Sequence, residues 1–187
     1  MEITGKYVMG VTGSMGCGKT TFCRRIAAER RKNGMKTMHI DVDELRIEAL
    51  SQDKETIQKI QEEFGQQMLF ANSTINRMAL SETIYHDPDA MRKHDNIIMP
   101  RLRKRIQESI DDADGLVLLD YALLAEKNLL SFVDAVIIID CERETQIARL
   151  FRGDLPRWQI EKRIAMQHTA QGKERIIRSA GKEVIHM

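Results

Sequence analysis

Residues 7–20 read Tyr7-Val8-Met9-Gly10-Val11-Thr12-Gly13-Ser14-Met15-Gly16-Cys17-Gly18-Lys19-Thr20. Tyr7 to Val11 mixes β-branched and small residues as a buried strand does, and the glycine-rich turn after it opens a helical pattern from Thr20 to Asn33 that Gly34 closes. Gly13 to Thr20 satisfies G-x-x-x-x-G-K-[ST], and a strand before it and a helix after it are the context in which that spacing binds phosphate. The glycines let successive backbone N–H groups turn inward at the positive end of a helix, Lys19 reaches the β- and γ-phosphates, and the Thr20 hydroxyl is a ligand for Mg²⁺. An accidental match is expected in roughly 1% of chains of this length, before the flanking strand and helix are demanded. Gly13, Ser14, Met15, Gly16, Cys17, Gly18, Lys19, Thr20 and Thr21 are therefore the expected nucleotide-binding residues, with ATP and Mg²⁺ as the expected ligands.

Outward from this loop the apolar runs are short. Met35 to Ile40 ends in Asp41, Leu116 to Leu119 ends in Asp120, Val136 to Ile139 ends in Asp140, and Val184 with Ile185 supplies a last strand. Such runs separated by helical stretches predict an α/β fold, a five-stranded parallel sheet covered on both faces. In that architecture the carboxyl ends of the strands line the ligand crevice, which brings Asp41 and Asp43 toward the phosphates, Asp43 as a catalytic group and Asp41 on the substrate side. The spacing equally allows Asp43 to cap a helix beginning at Glu44. Asp120 has the apolar-run-then-aspartate form of a Walker B metal ligand, a form shared by any strand-terminating turn aspartate.

Residues 44–113 have a helical period throughout, far too much for one crossover helix, and predict an inserted helical lobe. The core is then 1–43 and 114–187 of a single domain. In the lobe, Ile57, Ile60, Phe64 and Met68 form one helical stripe, and a second helix starts at the cap-and-proline pair Asp87-Pro88, carries a kink at Pro100 and stops at Asp114-Gly115. Arg101-Leu-Arg-Lys-Arg105 reads as the wet face of that helix, because Leu102 and Ile106 hold its other face. Arg143, Arg149, Arg152, Arg157 and Arg163 line a helix-turn-helix broken by Gly153, Asp154 and Pro156, the pattern of an arginine-bearing lid over about 149–163.

The chain has 187 residues and carries 29 Lys plus Arg against 28 Asp plus Glu, so no strong field favours nucleic acid or anionic membrane as a partner. No apolar run approaches the roughly 18 residues of a membrane span, and the N-terminal segment has no signal-peptide pattern, so the expected location is the cytoplasm. Cys17, Cys23 and Cys141 are expected to be reduced thiols, and the five histidines show no metal-ligand spacing.

These residues resemble the dephospho-CoA kinase family, whose motifs stand here as Val11 to Thr20, Ile40 to Asp43, Phe64-Gly65, Ile75-Asn76-Arg77 with Leu80, Leu123-Leu124-Ala125-Glu126, Glu144 to Gln146 with Arg149 and Leu150, and Gln167. The resemblance runs over nearly the whole chain and implies a P-loop kinase with sheet order 2-3-1-4-5, a CoA-binding helical lobe and a lid. It implies transfer of the γ-phosphoryl of ATP to the ribose 3′-hydroxyl of dephospho-CoA, with Lys19 and Arg149 on the transferring charge, Asp43 orienting the hydroxyl, Thr20 and Asp120 at the metal, and Arg77, Leu123 and Glu126 on the acceptor side. The sequence departs from the family's pattern at Met99 (usually histidine), Ala122 (usually proline), Gly153 (usually arginine) and Ala180 to Met187, and the C-terminal helix that many members carry after the last strand is not expected here. Those departures leave two other readings open, a kinase for another nucleotide-like acceptor and a non-enzymatic nucleotide-binding module.

Overall fold

In the computed structural model, which describes residues 5–151 and 155–187, the strands β1 (Tyr7–Thr12), β2 (Thr37–Asp41), β3 (Leu116–Asp120), β4 (Ala135–Ile138) and β5 (Glu183–His186) form one parallel sheet in the order β2-β3-β1-β4-β5. The expected fold class and strand order are both observed. β3 is buried along its whole length, as is β4, which is why these strands read as uninterrupted Leu, Val and Ile rather than alternating with polar residues.

Helix α1 (Lys19–Lys32) begins where Gly18 takes a left-handed φ of 95° and ends at Asn33 before Gly34. It lays Cys23 and Ala27, one turn apart and both fully buried, on Val11, Leu116, Leu118 and Ile137. Small side chains at that spacing let the helix approach the sheet closely, and each large aliphatic it covers contributes about 1.5–3 kcal/mol of burial. The second strand starts at Thr37 rather than Met35, because residues 33–36 form the turn out of α1. Met38 is among the exposed apolar side chains, as suits a strand at the sheet edge, and Met35 is exposed in the turn before it.

The contacts divide the chain into two units, residues 1–41 with 107–187, and residues 42–106. The first unit holds the sheet, α1, α6 (Arg143–Leu150), α7 (Arg157–Ala165) and α8 (Ala170–Ser179). Arg152, Gly153 and Asp154, part of the expected lid, lie outside the described residues. In the second unit are α2 (Val42–Gln52), α3 (Lys54–Phe64), α4 (Arg77–His86) and most of α5 (Pro88–Asp111).

The stripe expected from Ile57 to Met68 is divided. Helix α3 stops at Phe64 because Gly65 turns out at φ 91°, and Met68 reaches its buried position from a 3-10 turn, Gln66–Met68. Asn76 caps α4 by accepting from the Ala79 N–H, and Asp87 does the same for the Asp89 N–H at the start of α5. Helix α5 runs unbroken through Pro100, with Ile98, Leu102 and Ile106 almost completely buried. Its basic run is paired: Arg101 with Asp53, and Arg105 with Glu48 at 3.2 Å.

Candidate active site

The phosphate loop joins β1 to α1 at the carboxyl end of the sheet. Gly13 is needed for its path: φ is 138°, and a Cβ there would fall on the Ile139 carbonyl oxygen. Lys19 is 8% exposed and its Nζ donates to the Ser14 carbonyl oxygen at 3.1 Å, inside the curl of the loop. The outer side of the loop is bonded from three points far along the chain. Gln146 Nε2 donates to the Met15 carbonyl at 2.7 Å, the Met15 N–H donates to Gln167 Oε1 at 2.9 Å, and Arg149 donates to the Gly16 carbonyl at 3.3 Å. The motif glutamines thus act as struts, a role that spacing along the chain does not reveal. Gln146 and Arg149 are three apart on α6, and so project from one helix face.

Of the other lid arginines, Arg157 stacks over Phe151 at 5.6 Å from the ring centre and pairs with Glu161 at 2.8 Å. Arg149 is the one that the described contacts bring onto the loop.

Thr20 Oγ1 donates to Asp120 Oδ2 at 2.7 Å, and His39 Nε2 lies 3.3 Å from the same oxygen. Pairing of β2 with β3 sets this up: Asp41 stands opposite Asp120 and His39 opposite Leu118. Cys23 completes a group with His39 and Asp120 whose ligand atoms all lie within 4.8 Å of one another. Asp120 is 3% exposed, and its Oδ2 is the atom that these neighbours approach. His39 lies far from Asp120 along the sequence, which is why histidine spacing gave no sign of it.

Beyond β3, Glu126 Oε1 accepts from Lys173 Nζ at 2.5 Å and from the His168 N–H at 3.0 Å, while Lys173 also donates to the Ala122 carbonyl at 2.6 Å. Lys173 is completely buried, and burial pulls its pKa down against the opposing effect of Glu126. The second carboxylate oxygen, Oε2, is buried without a hydrogen-bond partner among the described residues. Lys173→Met should therefore destabilise the fold by about 3–5 kcal/mol, the cost of leaving a buried carboxylate unpaired. The urea unfolding midpoint checks this, and Lys173→Arg should recover part of the loss.

Asp43 and Arg77 belong to the second unit. Helix α2 begins at Val42, so Asp43 lies within its first turn instead of capping a helix that starts at Glu44. There it is half exposed and 3.5 Å from Arg46. Arg77 is the first residue of α4 and is exposed, and Leu123 is partly buried beside β3.

A glycine-rich loop closing on a buried lysine, a threonine bonded to a strand-end aspartate and a sheet in the order β2-β3-β1-β4-β5 define a P-loop kinase. The dephospho-CoA kinase family model matches residues 7–180. Dephospho-CoA kinase from Thermobifida fusca is 31% identical over 172 residues, covering 90% of this chain and 82% of that protein. The Escherichia coli K12 enzyme of the same name is 27% identical over 170 residues, covering 90% and 80%. A crystal structure of a Thermus thermophilus protein superposes with a TM-score of 0.69 at 23% identity, covering 97% of this chain and 88% of that one. The chain belongs to the dephospho-CoA kinase family, and is accordingly an ATP-dependent kinase acting on a small molecule. No helix among the described residues is long and apolar enough to cross a membrane.

Proposed function

We propose that this chain transfers the γ-phosphoryl group of ATP to the ribose 3′-hydroxyl of dephospho-CoA, giving CoA and ADP, the last step of coenzyme A biosynthesis. The observation that carries the reading is the family match over residues 7–180, which runs through the helical unit as well as the phosphate loop.

In this reading Lys19 and the loop amides hold the β- and γ-phosphates, and Arg149, already against Gly16, lies on the charge of the transferring group. Thr20 Oγ1 and Asp120 Oδ2 are hard oxygen donors in direct contact, a pair that fits Mg²⁺ and would hold it. When bound, the ion neutralises charge on the phosphate oxygens. Asp43 orients the attacking hydroxyl. In a loose transition state the proton leaves late, so an ordinary carboxylate serves by position more than by basicity. Asp41, Arg77, Leu123 and Glu126 are assigned to the acceptor side, and the family pattern that Arg77, Leu123 and Glu126 match supports that assignment.

The deciding experiment measures ADP release with mass detection of the product across dephospho-CoA, adenosine and nucleoside monophosphates. Dephospho-CoA should be the best acceptor. Met99 cannot make the hydrogen bond of the histidine usual there, and one neutral contact is worth about 0.5–1.5 kcal/mol, so Met99→His should lower KM for dephospho-CoA by roughly two- to thirteenfold. Product from another acceptor and none from dephospho-CoA would leave the fold assignment intact and overturn the function.

Asp43→Asn keeps the shape of the side chain and removes its charge. Steady-state kinetics should show kcat lowered about 100-fold or more with ATP affinity retained. Retained kcat with a lower melting temperature would reduce Asp43 to a favourable charge at the start of α2.

A further inference from the structure

Cys17 in the phosphate loop and Cys141 just after β4 are brought together by the fold, with their Sγ atoms 2.9 Å apart. Cys17 is buried, Cys141 is partly exposed, and the reaction described above uses neither thiol. The pair joins the phosphate loop to the segment that leads from β4 into α6. Cys17 sits between the struts on Met15 and the catalytic Lys19, and Cys141 leads into the helix that carries Gln146 and Arg149.

We propose that Cys17 and Cys141 form a reversible disulfide on exposure to hydroperoxide, and that the bridge shuts the nucleotide site. Cys141, the accessible thiol, reacts first. Its thiolate attacks one peroxide oxygen, the S–O bond forms as the O–O bond breaks, and hydroxide leaves to take up a proton as water. Cys17 then attacks the sulfenic sulfur, the S–S bond forms as the S–O bond breaks, and the hydroxide leaves with the Cys17 proton as a second water. The thiol pair loses two electrons and the hydroperoxide gains them.

This division of labour follows from position. Burial, reinforced by the contact with Cys141, pushes the Cys17 thiol up to about 12 while the nearby Lys19 charge acts in the other direction, which makes Cys17 a poor first nucleophile. Held against Cys141, it is well placed as the resolving thiol. Cys23 is fully buried, and burial pushes its thiol up as well, so it stays reduced.

The bridge requires the sulfurs to close to about 2.05 Å. The loop has little slack to absorb that movement, since Gly13 abuts the Ile139 carbonyl and Met15 is bonded on both its N–H and its carbonyl. With Gly13 and Met15 held, the part of the movement that the loop takes up falls on the Cys17 backbone, among the amides that must converge on phosphate, where misplacement by about 1 Å can cost on the order of 100-fold. By linkage, bound ATP opposes bridge formation by the same factor by which the bridge weakens ATP.

The test treats the full chain with hydrogen peroxide, alkylates the remaining thiols, maps the peptides and measures ATP affinity by equilibrium titration. ATP affinity is read without any acceptor, so the result stands apart from the identity of the substrate. The expected result is a Cys17–Cys141 linked peptide, alkylation of Cys23 only after denaturation, and at least about a tenfold loss of ATP affinity, restored by dithiothreitol and slowed by ATP. Cys141→Ser should bind ATP normally and keep that affinity under peroxide. Absence of the linked peptide, a linked protein that binds ATP as before, or equal sensitivity in Cys141→Ser would each overturn the proposal.

Discussion

Replacing Lys19 by alanine is expected to lower kcat/KM by at least about 10³-fold, which corresponds to roughly 4 kcal/mol of lost transition-state stabilisation. The size follows from where the amine sits. It is nearly buried, and its hydrogen bond to the Ser14 carbonyl keeps it inside the loop, so in the proposed reaction charge developing on the phosphates would meet an already oriented cation. Alanine leaves that volume empty, and no other side chain of the loop carries positive charge. Nucleotide affinity should fall together with turnover. Equilibrium titration with ATP alongside ADP-release kinetics separates the two, and unchanged turnover would remove the phosphate loop from the mechanism.

Arg149→Ala is expected to lower kcat by on the order of 10³, the lower end for an arginine that stabilises a transferring phosphoryl group. Arg149 is exposed, and among the described residues its hydrogen bond is a 3.3 Å contact with the Gly16 carbonyl, so its removal should have little effect on folding, and the loss should appear in kcat more than in KM for ATP. Lysine at this position keeps the charge but lacks the planar fork, so Arg149→Lys should recover only part of the rate. A defect confined to KM would make Arg149 a ground-state contact.

The sheet and the phosphate loop were legible because their signals are local. Short apolar runs ending in aspartate, and one spacing with a strand before it and a helix after it, need no knowledge of the rest of the chain. Gln146 and Gln167 were visible as matches to a family pattern, yet their task of bonding both sides of Met15 exists only once α6 and the segment before α8 are folded onto the loop. Lys173 was missed for a related reason. A lysine in an amphipathic helix reads as solvated, and only the carboxylate of Glu126 with the Ala122 carbonyl explains its complete burial. The errors at Met35 and at Gly65 share one cause. Apolar periodicity continued past a turn whose position is set by backbone conformation, and side-chain pattern does not report that.

Being the middle strand has a consequence for how the protein is made. β1 emerges from the ribosome first of the five, yet one of its partners, β3, begins at Leu116 and the other, β4, at Ala135. At about 5–20 residues per second, both edges of that strand wait of the order of ten seconds for their neighbours. Until then the nascent chain presents an apolar segment with unpaired backbone groups and a phosphate loop that lacks its struts, since Gln146 and Gln167 have not been translated. Nucleotide therefore cannot stabilise the early chain, and the yield of active protein should depend on how well chaperones shield residues 7–12 during that interval.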